Sequence, residues 1–321
     1  METQTLAQHI TVSVGICAVT EIENTLRLTG QILAASHPAL RIKELVVATP
    51  NRYLARELEG LDKRLVVLLE NKREGKAIAI NRIIRKATGD ILVLASADIE
   101  LGRNSISKLV QSLADNESWG AVDSRVELVN GDAKLMDRVC TLLWEVHNEI
   151  LDQLDGDTRL GHVAGDLWAV RRDLIGEIPN TINDDAYLAL MIQRKGSTIH
   201  RVENSLVWIV GPRSPADYVA QRSRILLGHF HLIRDFKAVP TTFEFTLPVR
   251  LGRNVKTLTE TVRKLGPSYL TSLFVASFLE LVSVQVALVS LLTRRKPRPW
   301  RIAHTTKMVR SSRTLNEGPT H

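Results

Sequence analysis

The sequence predicts an α/β fold built on a mostly parallel, doubly wound sheet, followed by a C-terminal helical tail that contacts a membrane. Three observations carry that expectation. Short apolar runs rich in β-branched residues recur through the first two thirds of the chain, each bounded by turn residues. Helical stretches separate them at the spacing of βαβ units, and runs that are apolar throughout mark strands covered on both faces. From Arg250 onward this rhythm stops, and one long apolar run, Tyr269–Leu292, stands between two basic clusters.

Taken in order, residues 11–19 (TVSVGICAV) predict the first buried strand, 20–24 a polar turn and 25–36 a helix. A second strand at 44–48 runs into Pro50 and Asn51, followed by a helix over 53–61 and a short strand over 64–69. A basic loop with Arg73, Gly75 and Lys76 opens a helix over 76–86. The Thr88-Gly89 turn then leads into a fourth strand, 90–95, just before Asp98. Residues 104–116 predict a helix, 121–129 an alternating, half-exposed strand, and 134–154 a long helix with Trp144 and His147. A strand over 163–170, a helix over 184–195, one or two strands within 197–210 and a helix over 215–234 complete the unit. We assign residues 8–235 to this unit and 236–321 to the C-terminal helical region.

With 44% hydrophobic and 24% charged residues, the chain has the balance of an ordinary globular protein. Its net charge of +7 favours an anionic partner, for which nucleotide phosphates, nucleic acid and anionic lipid all qualify. Cys17 falls in a strand-like run and Cys140 in a helical one, which predicts buried free thiols in a reducing compartment. The first residues lack the basic-then-apolar pattern of a signal peptide.

The tail is long enough to span a bilayer as one helix. Glu280 and Gln285 lie inside it, and a charge at mid-membrane is costly. Arg250, Arg253, Lys256, Arg263 and Lys264 precede it, while Arg294, Arg295, Lys296, Arg298 and Arg301 follow, so a single span would strand one basic flank outside. A re-entrant or interfacial helix keeps both flanks at the cytoplasmic face; the competing reading is a core helix of a soluble protein.

The chemistry gathers at 70–98. In an open α/β sheet ligands sit beyond the carboxyl ends of the strands. Asp98 there, with Lys76 at a helix start, suits a metal-bound diphosphate. No zinc spacing, P-loop or Gly-x-Ser-x-Gly elbow competes with this.

Five segments in order resemble the family-2 glycosyltransferases, inverting enzymes that use nucleotide-sugar donors. Ala18-Val-Thr-Glu21 is similar to the turn after the family's first strand, with Thr20 in place of Asn. Arg73-Glu-Gly-Lys76-Ala-Ile-Ala-Ile-Asn81 resembles its Gly-Lys…Asn loop and helix. Residues 88–98 occupy the place of its Asp-x-Asp strand end, with Ser96 for the first Asp. Asn183-Asp184-Asp185 resembles its Glu-Asp motif, and Gln221-Arg-Ser-Arg224-Ile its Gln-x-x-Arg-Trp motif, with Ile225 for Trp.

The resemblance implies a sheet of nucleotide-sugar glycosyltransferase type and specific roles. Asp98 would hold Mg²⁺ or Mn²⁺ on the diphosphate, Lys76 and Arg224 would offset its charge, and Glu21 would lie near the donor nucleoside. Asp185 would be the base, with Asp184, His162 and Gln221 on the acceptor side. The second strand ends Ala48-Thr49 where the family places acids, which leaves the nucleotide open. The implied partners are a nucleoside-diphosphate sugar and a sugar or lipid-linked acceptor, as in polysaccharide biosynthesis, and not nucleic acid. Two rivals stand beside it. A nucleotidyltransferase would need a Gly-rich loop after the first strand, which residues 19–23 lack. A degenerate, non-catalytic relative would account for Ser96 and Ala48.

Overall fold

The computed structural model describes residues 10–35, 40–156, 161–239, 241–242, 245 and 250–293. The basic cluster at 294–301 therefore lies outside the described residues. The elements are β1 (Ile10–Cys17), α1 (Ile22–Ala34), β2 (Leu40–Thr49), α2 (Arg52–Leu58), β3 (Leu65–Leu69), α3 (Lys76–Lys86), β4 (Ile91–Ser96), β5 (Glu100–Leu101), α4 (Ser105–Asp115) and β6 (Trp119–Leu128). They continue as α5 (Leu135–Gly156), β7 (Leu167–Arg171), α6 (Asp184–Arg194), β8 (Thr198–Ile209), α7 (Pro215–Phe236), α8 (Leu251–Leu265) and α9 (Tyr269–Leu292).

One sheet orders the strands β3-β2-β1-β4-β7-β6-β8-β5. The pairings of β1 with β2 and β4, β2 with β3, and β6 with β8 are parallel, as the βαβ rhythm predicts. The strand β7 enters antiparallel between β4 and β6, and β5 closes the edge antiparallel to β8. The sheet is thus mixed but mostly parallel, with helices on both faces.

The apolar runs are continuous because each strand serves two cores. Val12, Val14 and Ile16 of β1 pack with Leu28 and Ile32 of α1 and with Leu54, Leu58, Leu109 and Leu113. The opposite face meets Ile80, Ile83 and Ile84 of α3, Leu142 and Val146 of α5, and Leu188 and Ile192 of α6. Gly15 allows the approach of α3: a Cβ there would lie 2.5 Å from Ile83 Cγ2. That close packing fixes where the N-terminus of α3 meets the carboxyl end of β1.

The structure revises or narrows three sequence expectations. The strand expected over 163–170 starts only at Leu167, because Gly165 takes φ = +85° and breaks the extension. The region 197–210 is one strand, kept continuous past an irregular step between Ser124 and Arg125 of its partner. The helix α8 falls within the region expected to be helical, whereas the two-residue β5 was not expected.

The expected tail helix forms over Tyr269–Leu292. Tyr269, Ser272, Ala276, Leu279, Ser283 and Ala287 follow helical spacing and are buried. Ala276 and Leu279 pack with Tyr218 and Cys140, and Ala287 with Leu226 and Leu227. The other face exposes Leu270, Phe274, Phe278, Leu281, Val286, Leu288, Val289 and Leu292. Glu280 points to the protein: Arg222 Nε donates to its Oε1 at 2.7 Å and Arg222 NH2 to its Oε2 at 3.1 Å, while the Tyr218 hydroxyl also donates to Oε1. The charge that counted against a lone membrane span is thus neutralised within the protein. The helix presents one apolar face outward and one to the protein.

Candidate functional site

A cavity of about 1210 Å³ opens over the carboxyl ends of β1 and β4 and extends between α5, α7 and α9. It is lined by all eight residues singled out from the sequence: Glu21, Lys76, Asp98, His162, Asp184, Asp185, Gln221 and Arg224. Strand ends, two helix starts and one helix face supply them.

Glu21 ends the turn after β1, and its Oε2 accepts hydrogen bonds from the backbone N–H of Val19 and Thr20 at 2.9 and 2.8 Å. The carboxylate therefore shapes the turn as well as the cavity wall. Asp98 follows β4 by two residues. At this strand end and in the turn after it, Ser96 and Asp98 are half-buried and line the cavity, while Ala97 and Ile99 are buried. Asn24 clamps this turn by donating to the carbonyls of Ala97 and Ile99.

Gly75, with φ = +121°, begins α3, and Lys76 reaches across the cavity to Asp184 Oδ2 at 3.2 Å. The acids Asp184 and Asp185 open α6. Asn183, just before them, donates to the Ile225 carbonyl at 3.0 Å and so ties this helix start to α7. Asp185 Oδ1 accepts from the Ala186 N–H at 2.7 Å. Burial and the adjacent Asp184 push the Asp185 carboxyl up to about 6, against the pull of Lys76 and Arg224.

Arg222 and Arg224 take different directions on α7, as their spacing predicts. Arg222 is committed to Glu280. Arg224 lines the cavity with Gln221, and its charge favours ionised Asp185.

His162 is buried, with Nδ1 3.0 Å from Thr241 Oγ1. Burial and the Arg201 charge pull its pKa down to about 4, so the ring is neutral at physiological pH. Two further histidines line the same wall. His147 lies with its ring 5.5 Å from that of His162, and His229 is pulled down to about 3 by burial and by His162. Neither was singled out from the sequence, since only the packing of α5 against α7 brings them to the cavity.

Asp166, which stands with His162 and Gly165 before a strand, has no role assigned from the sequence. It lines the cavity, and burial and the Asp98 charge push its carboxyl up to about 8. Its one sequence signal is its position directly after Gly165 at the mouth of a strand.

Among the described residues no group of three or more His, Cys, Asp or Glu is placed to enclose a metal. A divalent ion bound through a diphosphate needs only one or two carboxylates from the protein. Asp98 and Asp166, at the sheet edge beside Lys76, fit such a half-shell. The cavity offers no acid at the end of β2, where Ala48 lines it; Glu70, at the end of β3, also lines it but pairs with Arg82.

Comparisons with known proteins agree with this architecture. The family model described as Glycosyl transferase family 2 matches residues 13–178, more than half of the chain. A probable glycosyltransferase, YdaM, from Bacillus subtilis (strain 168) is 20% identical over 185 residues, covering 55% of this chain and 43% of that relative. The match thus spans less than half of the relative's length. The mannosyltransferase PcManGT from Pyrobaculum calidifontis, solved in complex with GDP-Man and Mn²⁺, superposes with a TM-score of 0.59 at 21% identity, covering 89% of this chain and 88% of that one. It shares the fold. Mannosyl-3-phosphoglycerate synthase from Rubrobacter xylanophilus superposes with a TM-score of 0.49 at 15% identity, covering 71% of this chain and 76% of that one.

Proposed function

The chain belongs to glycosyl transferase family 2, and from that premise we propose that it moves a sugar from a nucleoside diphosphate to a hydroxyl acceptor with inversion. The observation that carries this reading is the single cavity that brings strand-end Asp98, cationic Lys76 and Arg224, and the raised acid Asp185 together.

In this reading Asp185 takes the proton from the acceptor hydroxyl as its oxygen bonds to the anomeric carbon. The bond from that carbon to the diphosphate breaks, and the diphosphate leaves with the electron pair. Arg224 and Lys76 offset the charge that grows on it, Arg through its two-pronged fit to phosphate oxygens. Lys76 is held toward the cavity by Asp184. Asp98 would hold Mg²⁺ or Mn²⁺, which when bound would supply Lewis-acid stabilisation of the leaving diphosphate. A single displacement turns an α-linked donor into a β-linked product. His162 and Gln221 line the acceptor side, and Glu21 the nucleoside side.

We place the chemistry on residues 8–235 and membrane contact on 236–321. The cavity wall includes Leu273, Ala276, Ser277, Leu281 and Val284 of α9, while that helix exposes its apolar outer face. An acceptor embedded in the cytoplasmic leaflet, a lipid-linked hydroxyl or sugar, would reach Asp185 along this wall.

The test is Asp185→Asn in a panel of nucleotide sugars. Transfer should fall by on the order of 10²-fold or more while nucleotide binding persists, because the shape is kept and the base is lost. Turnover equal to wild type would remove the mechanism.

A further inference from the structure

We propose that Asp166 supplies, from the neighbouring strand, the second metal-facing carboxylate that Ser96 lacks. The inference rests on the proposed donor site and concerns how this chain completes it.

The geometry is set by the β4–β7 ladder. Ala95 pairs with Leu167, so one step further Ser96 stands opposite Asp166. The Ser96 N–H donates to the Asp166 carbonyl at 2.8 Å, which holds that register. Residues directly opposite in an antiparallel pair share a face, with Cβ atoms roughly 4.5–5.5 Å apart. A carboxylate at either position of such a pair serves nearly the same point in space. Asp98, in the turn two residues beyond Ser96, lines the same cavity, and its charge acts on Asp166.

Burial supports the direction. Ser96, Asp98 and Asp166 are all half-buried and line the cavity, whereas Leu167, the next residue of β7, is buried and does not. Among the described residues no hydrogen bond reaches the Asp166 carboxylate. Two carboxylates kept close together repel each other, and a cation between them offsets that repulsion. Gly165, at φ = +85°, ends the ladder next to Asp166.

The experiment measures binding of GDP, UDP, CDP and dTDP by calorimetry, with and without MnCl₂, and Mn²⁺ binding by electron paramagnetic resonance. In wild type, Mn²⁺ should strengthen binding of at least one nucleotide. In Asp166→Asn that enhancement should fall by about tenfold or more, while metal-free binding stays equal or tightens, because one negative charge near the diphosphate is gone. The exchange variant Ser96→Asp/Asp166→Ser should restore the enhancement. A structural role for Asp166 predicts instead equal losses with and without Mn²⁺ and no rescue by the exchange. That result, or an undiminished Mn²⁺ effect in Asp166→Asn, overturns the assignment. If wild type shows no Mn²⁺ effect on any of the four nucleotides, the metal-assisted donor site falls first, and this inference with it.

Discussion

Gly165→Ala separates the position of Asp185 from its presence. A Cβ built on Gly165 would lie 2.2 Å from Asp185 Oδ2 and 3.1 Å from its Cβ and Cγ. Ordinary contact begins near 3.4 Å, so the carboxylate must retreat by on the order of 1 Å. A misplacement of that size at a reacting group costs roughly 10²-fold in rate. The same substitution forces an alanine to φ = +85°, costing about 1–2 kcal/mol of stability. Metal-free nucleotide binding should change little, since Glu21, Lys76 and Asp98 stand on other elements. The assay is kcat with saturating donor, alongside nucleotide titration and a thermal melt. A variant that is destabilised as expected but retains wild-type kcat would show that Asp185 does not work from its observed position.

The pH profile follows from Asp185. Its carboxyl, raised to about 6, is active as base only when ionised, so the rate should be full above that pH and fall tenfold per unit below it. Asp184→Asn removes a charge that raises Asp185, and should move this acidic limb to lower pH; an unmoved limb would assign it elsewhere. Arg222→Met leaves Glu280 with the Tyr218 hydroxyl but no cation. With side-chain exposures of 23% and 20%, the pair is not fully buried, so the loss should be roughly 1–3 kcal/mol in urea unfolding, below the figure for a fully buried pair. Arg222→Met/Glu280→Leu should recover most of it, and additive losses would refute the coupling. Phe274→Glu/Phe278→Glu alters side chains that are 75% and 65% exposed. It should abolish binding to anionic vesicles without lowering the melting temperature, since each inserted Phe is worth about 1.5–3 kcal/mol; undiminished flotation would put membrane contact elsewhere.

Much of the site was legible because its residues lie next to strand ends and helix starts, which periodicity locates. Lys76 begins a helix, Asp98 follows a strand and Asp185 opens a helix, so each motif carried its own structural address. What was not legible depends on which elements become neighbours. His147 and His229 meet only because α5 and α7 face one cavity, and Asp166 gains its place only because β7 enters antiparallel beside β4. A reading of local pattern finds a missing acid at Ser96 but has no means to look across a ladder for it.

The same limit governs Glu280. Along the sequence it is a charge inside an apolar run, which argues against a lone membrane span. In three dimensions it is the partner that Arg222 needs, and with it α9 has two different faces. One face is small and polar enough to sit on α7, with Ser272, Ala276, Ser283 and Ala287 at the contact; the other carries the large apolar side chains. A helix meant to be buried in a soluble core would not leave Phe274, Phe278 and Leu292 bare, and one meant to cross a bilayer alone would not carry Glu280. Both features fit a helix that lies along a membrane surface while forming a wall of the cavity that holds Asp185. On the proposed reading of Asp185 as base, the ion pair has a functional consequence, because it ties α9, a wall of the same cavity, to α7. Loosening it should weaken use of a lipid-borne acceptor more than of a small soluble hydroxyl compound, and equal losses on the two would break the link between tail and site.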